Sequence, residues 1–173
     1  MMRENVKIED VAAEDRFALE PILDEAFSGL YLWHAKRTLR NIEVVRAAKV
    51  GGESVGLVML KKLTSKAGYV YYIAVAPTYR GKGVAGQLLD HSLQYFAELG
   101  AKQVYASVEE SNRDSLLLFG SRGFRPIGFA ELSKKYGRLE ATKMYAEMLV
   151  VHGETLLSRE LNQTPLYLRG FSK

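Results

Sequence analysis

Apolar positions along the chain change period several times, and each change predicts an element. Val6-Lys7-Ile8 alternates and predicts a short edge strand. From Glu14 to Phe27, residues Phe17, Leu19, Ile22, Leu23 and Ala26 recur at helical intervals. Pro21 interrupts that stretch and separates a first turn from a second segment. Tyr31 to Leu39 predicts another short helix, carrying the single tryptophan, Trp33. Three strand-like runs follow, Val44–Val50, Val55–Leu63 and Tyr69–Val75, with Gly51-Gly52 as the first turn and Ser65–Gly68 as the second. The nearly continuous apolar character of Tyr69–Val75 predicts a central strand, and Pro77, lacking an N–H, ends it.

The pattern then becomes helical from Val84 to Leu99, with Ala85, Leu88, Leu89, Ser92, Leu93 and Phe96 on one face and Gly100 as the stop. Gln103–Val108 reads as a strand. Asn112–Arg122 reads as a helix ended by Gly123, with Leu116, Leu117 and either Leu118 or Phe119 turned inward. Phe124–Phe129 and Thr142–Val151 are expected to form a hairpin joined by the polar stretch Ser133–Glu140. Gly153–Lys173 is expected to hold a short helix and a loose strand. Among its residues, Leu156, Leu157, Leu161, Leu166, Tyr167, Leu168 and Phe171 supply apolar surface for packing on the domain or for a homodimer.

Composition narrows this picture. The 173 residues suffice for one domain with an ordinary core, and 47% hydrophobic with 25% charged residues describes a folded, soluble chain. No run of about 18 apolar residues suggests a membrane span, and no secretory segment follows Met1, so a cytoplasmic location is expected. Cysteine is absent, which removes thiolate catalysis and cysteine metal ligation. His34, His91 and His152 are too dispersed to suggest a metal site. A net charge of +4 suits an anionic ligand but is too small to imply nucleic acid. The densest basic run, Lys36-Arg37-Thr38-Leu39-Arg40, reads as a solvated helix face.

The best-marked chemistry is Pro77-Thr78-Tyr79-Arg80-Gly81-Lys82-Gly83-Val84-Ala85-Gly86. A strand, a glycine-rich turn and a helix start together hold phosphate, since backbone N–H groups converge where the helix dipole places roughly half a positive charge. Gly81-x-Gly83-x-x-Gly86 matches the dinucleotide fingerprint, but it lies mid-chain after an antiparallel meander, and the acidic candidates Glu109 and Glu110 come late. A Walker loop would need Ser or Thr directly after Lys82, where Gly83 stands.

Ile73 to Ala85 resembles the acetyl-CoA motif of the GNAT superfamily of N-acetyltransferases. The family pattern Arg/Gln-x-x-Gly-x-Gly/Ala is met by Arg80-x-x-Gly83-x-Ala85. Asn112-Arg113-Asp114-Ser115 and Gly123-Phe124 are similar to its second cofactor segment. The resemblance runs from about Val6 to Val151. It implies the acyl-CoA N-acyltransferase fold, a mixed α/β architecture with a central, mostly antiparallel twisted sheet of about six to seven strands flanked by helices. Residues 1–151 would form that domain and residues 152–173 an extension.

The resemblance implies acetyl transfer from acetyl-CoA to a primary amine of a small molecule, peptide or protein, by direct attack of the amine. In the family the central strand splays from its neighbour, and the pantetheine arm fills the gap. The implied cofactor-binding set is Ile73, Val75, Arg80, Gly81, Lys82, Gly83, Val84, Ala85, Gly86, Asn112, Ser115 and Phe119. The Val75 N–H would be the catalytic oxyanion donor, a contribution of about 3 kcal/mol in a transition state.

The chain departs from the family at its acid and base. Phe119 stands where many members have a tyrosine acid, Ser115 replaces a common alanine, and Tyr69 stands where the histone-acetylating branch has glutamate. Tyr72 and Glu109 are the catalytic candidates, with Glu110, Tyr136 and Tyr145 behind them. Strand alternation turns Tyr71 and Tyr72 to opposite faces. A thiol pKa near 8.5 also lets thiolate leave without a protein acid. Trp33, Tyr31 and His34 are candidates to line an acceptor pocket, and Glu20, Asp24 and Glu25 to attract a cationic amine. The alternative is a non-catalytic acyl-CoA-binding or regulatory domain of the same fold.

Overall fold

The computed structural model describes residues 5–161. Seven strands form one sheet in the order β1-β2-β3-β4-β5-β7-β6. They are β1 (Lys7–Asp10), β2 (Val44–Val50), β3 (Glu53–Thr64), β4 (Ala67–Val75), β5 (Gln103–Glu109), β6 (Arg125–Pro126) and β7 (Glu154–Glu160). Every neighbouring pair is antiparallel except β4 and β5. Among the described residues the α-helices are α1 (Glu20–Ala26), α2 (Gly29–Asn41), α3 (Val84–Glu98), α4 (Arg113–Ser121), α5 (Phe129–Tyr136) and α6 (Arg138–Met148).

Side-chain alternation divides the core into layers. On one face, Val58, Leu60, Val70, Val104 and Ala106 pack with Leu88, Leu89 and Phe96 of α3 and Phe119 of α4. On the other, Leu57, Met59 and Ala74 pack with Leu23 of α1 and Leu39 of α2. Beside that cluster, Tyr69, Tyr105 and Leu156 meet Leu132 of α5 and Met144 of α6. Gly68 permits the close approach of α3, since a Cβ there would lie 2.3 Å from the Phe96 ring. Pro21 marks the expected break: a 3-10 segment, Ala13–Leu19, precedes α1, which carries the proline in its first turn.

Several expectations are corrected. Thr142–Val151 is not a strand, because Ala141, Met144 and Met148 are the buried positions and their spacing is helical. The polar stretch Ser133–Glu140 lies mostly within α5 and α6, and only Arg125–Pro126 of Phe124–Phe129 is strand. The partner of β6 is β7, which also pairs with β5 along its length. Leu156 and Leu157, expected to pack on the domain or at a dimer interface, pack in the core of the domain itself. Leu166, Tyr167, Leu168 and Phe171 lie outside the described residues. Leu117, expected to face inward, is 72% exposed, and Phe17, read as part of the apolar helical pattern, is 70% exposed.

Candidate functional site

The site begins where the two parallel strands part. β4 pairs with β5 only from Ala67↔Gln103 to Val70↔Ala106, yet the strands continue to Val75 and Glu109. Tyr71 to Val75 therefore has β3 on one side and, among the described residues, no strand on the other. The Ala76 N–H donates to the Val55 carbonyl at 2.9 Å, and Val75 lies opposite Gly56. Hydrogen-bonded and non-bonded pairs alternate in an antiparallel ladder. Val75 and Ile73 therefore turn their N–H and C=O groups toward the gap.

Arg80 closes the top of this edge. Its Nε donates to the Val75 carbonyl at 3.0 Å and its guanidinium also reaches the Glu25 carbonyl at 3.4 Å. The Arg80 side chain thus ties the turn to β4 and α1. Gly81 and Gly83 adopt φ of +73° and +85°, which only glycine takes without strain. The Lys82 ammonium lies 4.8 Å from the Tyr79 ring centre. Gly83 caps α3 without any side-chain hydrogen bond. The first backbone bond of the helix runs from the Gln87 N–H to the Gly83 carbonyl at 3.1 Å. The N–H groups of Val84, Ala85 and Gly86 precede it and, as in any helix start, have no partner within the helix. Gly86 is buried, and a Cβ there would meet the Arg122 guanidinium at 2.3 Å, so its second role is packing α3 against the end of α4.

The second helix start flanks the same gap. The Asn112 N–H donates to the Glu109 carbonyl at 2.9 Å, so α4 springs directly from the end of β5. The Asn112 side chain accepts the Ser115 N–H at 3.1 Å, making it the N-cap of α4. The two expected cofactor segments therefore converge on one end of the sheet, with α3 uncapped by a side chain and α4 capped. Phe119 does not face that opening as an exposed group. It is 5% exposed and meets Phe124 edge-to-face at 5.0 Å.

On the opposite face of β4, an aromatic and polar cluster covers the gap. The register between β3 and β4 slips between Met59↔Tyr72 and Leu60↔Val70, leaving Tyr71 as an extra residue. Such a bulge breaks strict alternation. Tyr71 and Tyr72 consequently share one face, with rings 5.7 Å apart and both near the His34 ring, at 6.2 and 6.1 Å. The expected opposite orientation is thus corrected. The Tyr72 hydroxyl lies 2.8 Å from His34 Nδ1. Tyr71 donates to the Glu147 carbonyl at 3.0 Å. Tyr31 of α2 donates to Glu154 Oε1 of β7 at 2.9 Å, bridging the two sides of the opening.

Burial pushes the Tyr72 phenol far above its ordinary pKa, aided by Tyr71, Glu154 and Tyr31. Tyr71 and Tyr31 are pushed up to about 12, again mainly by burial. His34 is held below its usual value by burial and by the Arg37 charge, with Glu154 opposing. Glu154 thus acts on residues of α2 and β4, although it lies on β7 beyond β5. Its Cα partner is Glu109, which is exposed at the end of β5.

The other candidates lie elsewhere or are already engaged. Tyr69 is buried and bonded to Ser107 Oγ at 2.7 Å and to the Met148 carbonyl at 3.0 Å. Tyr136 bonds Tyr105 at 2.9 Å, level with the paired part of β4 and β5, and Tyr145 packs on Phe129. Glu20 and Asp24 are neutralised by Lys36 and Arg40 of α2, which also accounts for much of the basic run. Trp33 is 59% exposed beneath the Arg37 guanidinium. Glu154 and the His34–Tyr72 bond were missed by the sequence reading. No local pattern marks them, because each depends on how distant elements pack.

Comparison with known proteins agrees with this arrangement. The profile of the acetyltransferase (GNAT) family matches residues 8–124, more than half of the chain. An N-alpha-acetyltransferase of Sulfurisphaera tokodaii is 35% identical over 92 residues, covering 46% of this chain and 55% of that protein. N-alpha-acetyltransferase MAK3 of Arabidopsis thaliana is 35% identical over 57 residues, covering 33% of this chain and 30% of that one. The matched region thus spans about half or less of these relatives. Among solved structures, the ribosomal-protein-S18-alanine N-acetyltransferase of Escherichia coli superposes with TM-score 0.69 at 14% identity, covering 94% and 97% of the two chains. A GNAT acetyltransferase of Elizabethkingia anophelis, solved with acetyl-CoA bound, gives TM-score 0.66 at 22% identity over 91% and 99%. With the parted β4 and β5, the glycine turn and the sheet order in agreement, the chain belongs to the acetyltransferase (GNAT) family.

Proposed function

We propose that this protein is an acetyl-CoA-dependent N-acetyltransferase acting on a primary amine. The single observation that carries the reading is the unpaired edge of β4 from Tyr71 to Val75, opening beside the uncapped start of α3. A pyrophosphate fits the α3 start, because the N–H groups of Val84, Ala85 and Gly86 have no partner within the helix and Gly81 and Gly83 put no side chain in the way. An extended amide-bearing arm fits the parted strands, where Ile73 and Val75 present backbone donors and acceptors as a neighbouring strand would meet them.

Acetyl-CoA supplies the activated thioester. The Val75 N–H would donate to the thioester carbonyl oxygen, and Arg80, bonded to the Val75 carbonyl, holds the next peptide, Val75–Ala76, at the end of β4. A preorganised donor of this kind contributes about 3 kcal/mol to lowering the barrier. Tyr72 lies on the open stretch of β4 and is the nearest candidate to move a proton at the amine. Its raised pKa keeps the phenol protonated at neutral pH. Glu109 and Glu154 add negative charge beside the opening and favour approach of an ammonium group. The two N-alpha-acetylating relatives support the α-amino group of a peptide as the first acceptor to try.

Phe119 favours a second reading, a domain that binds acyl-CoA without turnover, because it removes the family's usual acid. Thiol release from acetyl-CoA, measured over a panel of peptides, polyamines and small amines with an acceptor-free control, separates the two. Acceptor-dependent release with a matching acetylated product is expected. Saturable binding of CoA with no release on any amine would contradict the transferase reading.

A further inference from the structure

We propose that His34 is the proton store of the transfer step, taking a proton through the Tyr72 hydroxyl and returning it to the leaving sulfur. This rests on the transferase reading above and deepens it. The observation behind it is the 2.8 Å contact between Tyr72 Oη and His34 Nδ1, which joins α2 to the unpaired stretch of β4. Phe27 packs edge-on against the Tyr72 ring at 5.4 Å, and Tyr71 stacks on the imidazole, so both rings are held in place.

The relay uses the neutral tautomer with the imidazole proton on Nε2, in which Tyr72 donates and His34 Nδ1 accepts. Among the described residues, the titratable or charged groups that act on His34 are Tyr71 and Tyr72 from β4, Arg37 from α2 and Glu154 from β7. Thr38 Oγ1 lies 3.4 Å from the same Nδ1 and adds a weaker polar contact.

The step balances. As the amine nitrogen bonds to the acetyl carbon, its N–H bond breaks and that proton passes to Tyr72 Oη. The original Tyr72 proton passes to His34 Nδ1. The carbon–sulfur bond then breaks, Tyr72 gives a proton to the sulfur, and His34 restores the proton to Tyr72. Free thiol and amide are formed, and both side chains regain their starting states. One pair thereby does the work of the base and of the acid that Phe119 cannot supply. His34 acts through Tyr72 and is a positioning and proton-holding residue.

Two measurements test this. The chain has three histidines, so the His34→Gln variant assigns the His34 imidazole signal in an NMR titration. His34 is expected to titrate below the usual histidine range, and Tyr72→Phe to move it upward, because a donor to the neutral ring is lost. An unchanged His34 titration in Tyr72→Phe would overturn the proposal. In steady-state transfer to the best amine of the panel, His34→Gln keeps a hydrogen-bond acceptor but cannot hold a proton. It is expected to lose about 100-fold in kcat, with KM for acetyl-CoA within about two-fold and the acidic limb of the pH profile gone. Adding Tyr72→Phe is expected to cost little more, as for groups acting as a unit. Transfer that His34→Gln retains within about two-fold would overturn the relay alone. A wild-type protein that transfers to no amine would overturn it together with the transferase reading.

Discussion

The apex of the gap between β4 and β5 depends on Gly68, and this dependence can be measured. Gly68 pairs with Val104 two residues before the last β4–β5 partners, Val70 and Ala106. A Cβ at Gly68 would lie 2.3 Å from Phe96 Cδ1 and Cε1 and 2.7 Å from Cγ. Ordinary carbon contacts are about 3.5–4.0 Å, so the ring must retreat by more than 1 Å or the strand must move. Phe96 is buried in the same core cluster as Leu89, Leu93 and Val104, so a retreat of the ring must displace other core side chains. Overpacking of this kind costs about 1–3 kcal/mol. For a domain of this size that is a fall of about 2–12 °C in Tm. Gly68→Ala should therefore shift the urea midpoint and Tm without changing the m-value. Phe96→Leu removes the struck ring, so the double variant should be more stable than the sum of the two changes by at least about 1 kcal/mol. A Gly68→Ala protein within about 0.5 kcal/mol of wild type, or an additive double variant, would refute the packing argument and with it this account of how the apex is held.

Three further outcomes are expected. Gly83→Ala forces an L side chain into φ +85°, and no atom lies within 4 Å of the new Cβ, so the whole effect is backbone strain of about 1–2 kcal/mol. Gly83→Asn should lose less in the same urea titration, since asparagine tolerates that conformation better. Phe119→Tyr restores the family's usual residue at a buried position. It should destabilise by about 1–3 kcal/mol in urea and fail to raise the rate of thiol release, because the new hydroxyl enters an apolar cluster. Stability should also fall at both ends of the pH scale. The unfolded chain releases phenolic protons near pH 10, whereas native Tyr31 and Tyr71 hold theirs to about 12, so stability is lost as pH rises through that window. His34 does the reverse: its lowered native pKa makes stability fall as pH drops below about 6.5. Urea midpoints at intervals from pH 5 to pH 11.5, with Tyr71→Phe and His34→Gln as controls, check both limbs.

The sequence carried the middle of the chain well, because its signals there are local. The double-glycine turn, the Pro77 stop and the apolar face of α3 each bound an element without reference to the rest of the fold. The glycine turn and Asn112 were legible as helix starts for the same reason. Thr142–Val151 was misread because Met144, Ala146 and Met148 alternate, while the buried Ala141 that completes the helical spacing lay just before the expected strand. Its content of alanine, lysine, glutamate and methionine favours helix and was the available signal. The shared face of Tyr71 and Tyr72 could not be read, since a bulge depends on the partner strand. Nor could the Tyr31–Glu154 bond, which joins residues 123 positions apart.

The most direct test of the central claim is an amide NMR titration of the protein with acetyl-CoA. The account predicts saturable shifts at Ile73 and Val75, whose N–H groups face the gap, and at Gly83 to Gly86 around the start of α3. Saturable binding that leaves the Ile73 and Val75 amides unmoved, or no binding at all, would contradict it.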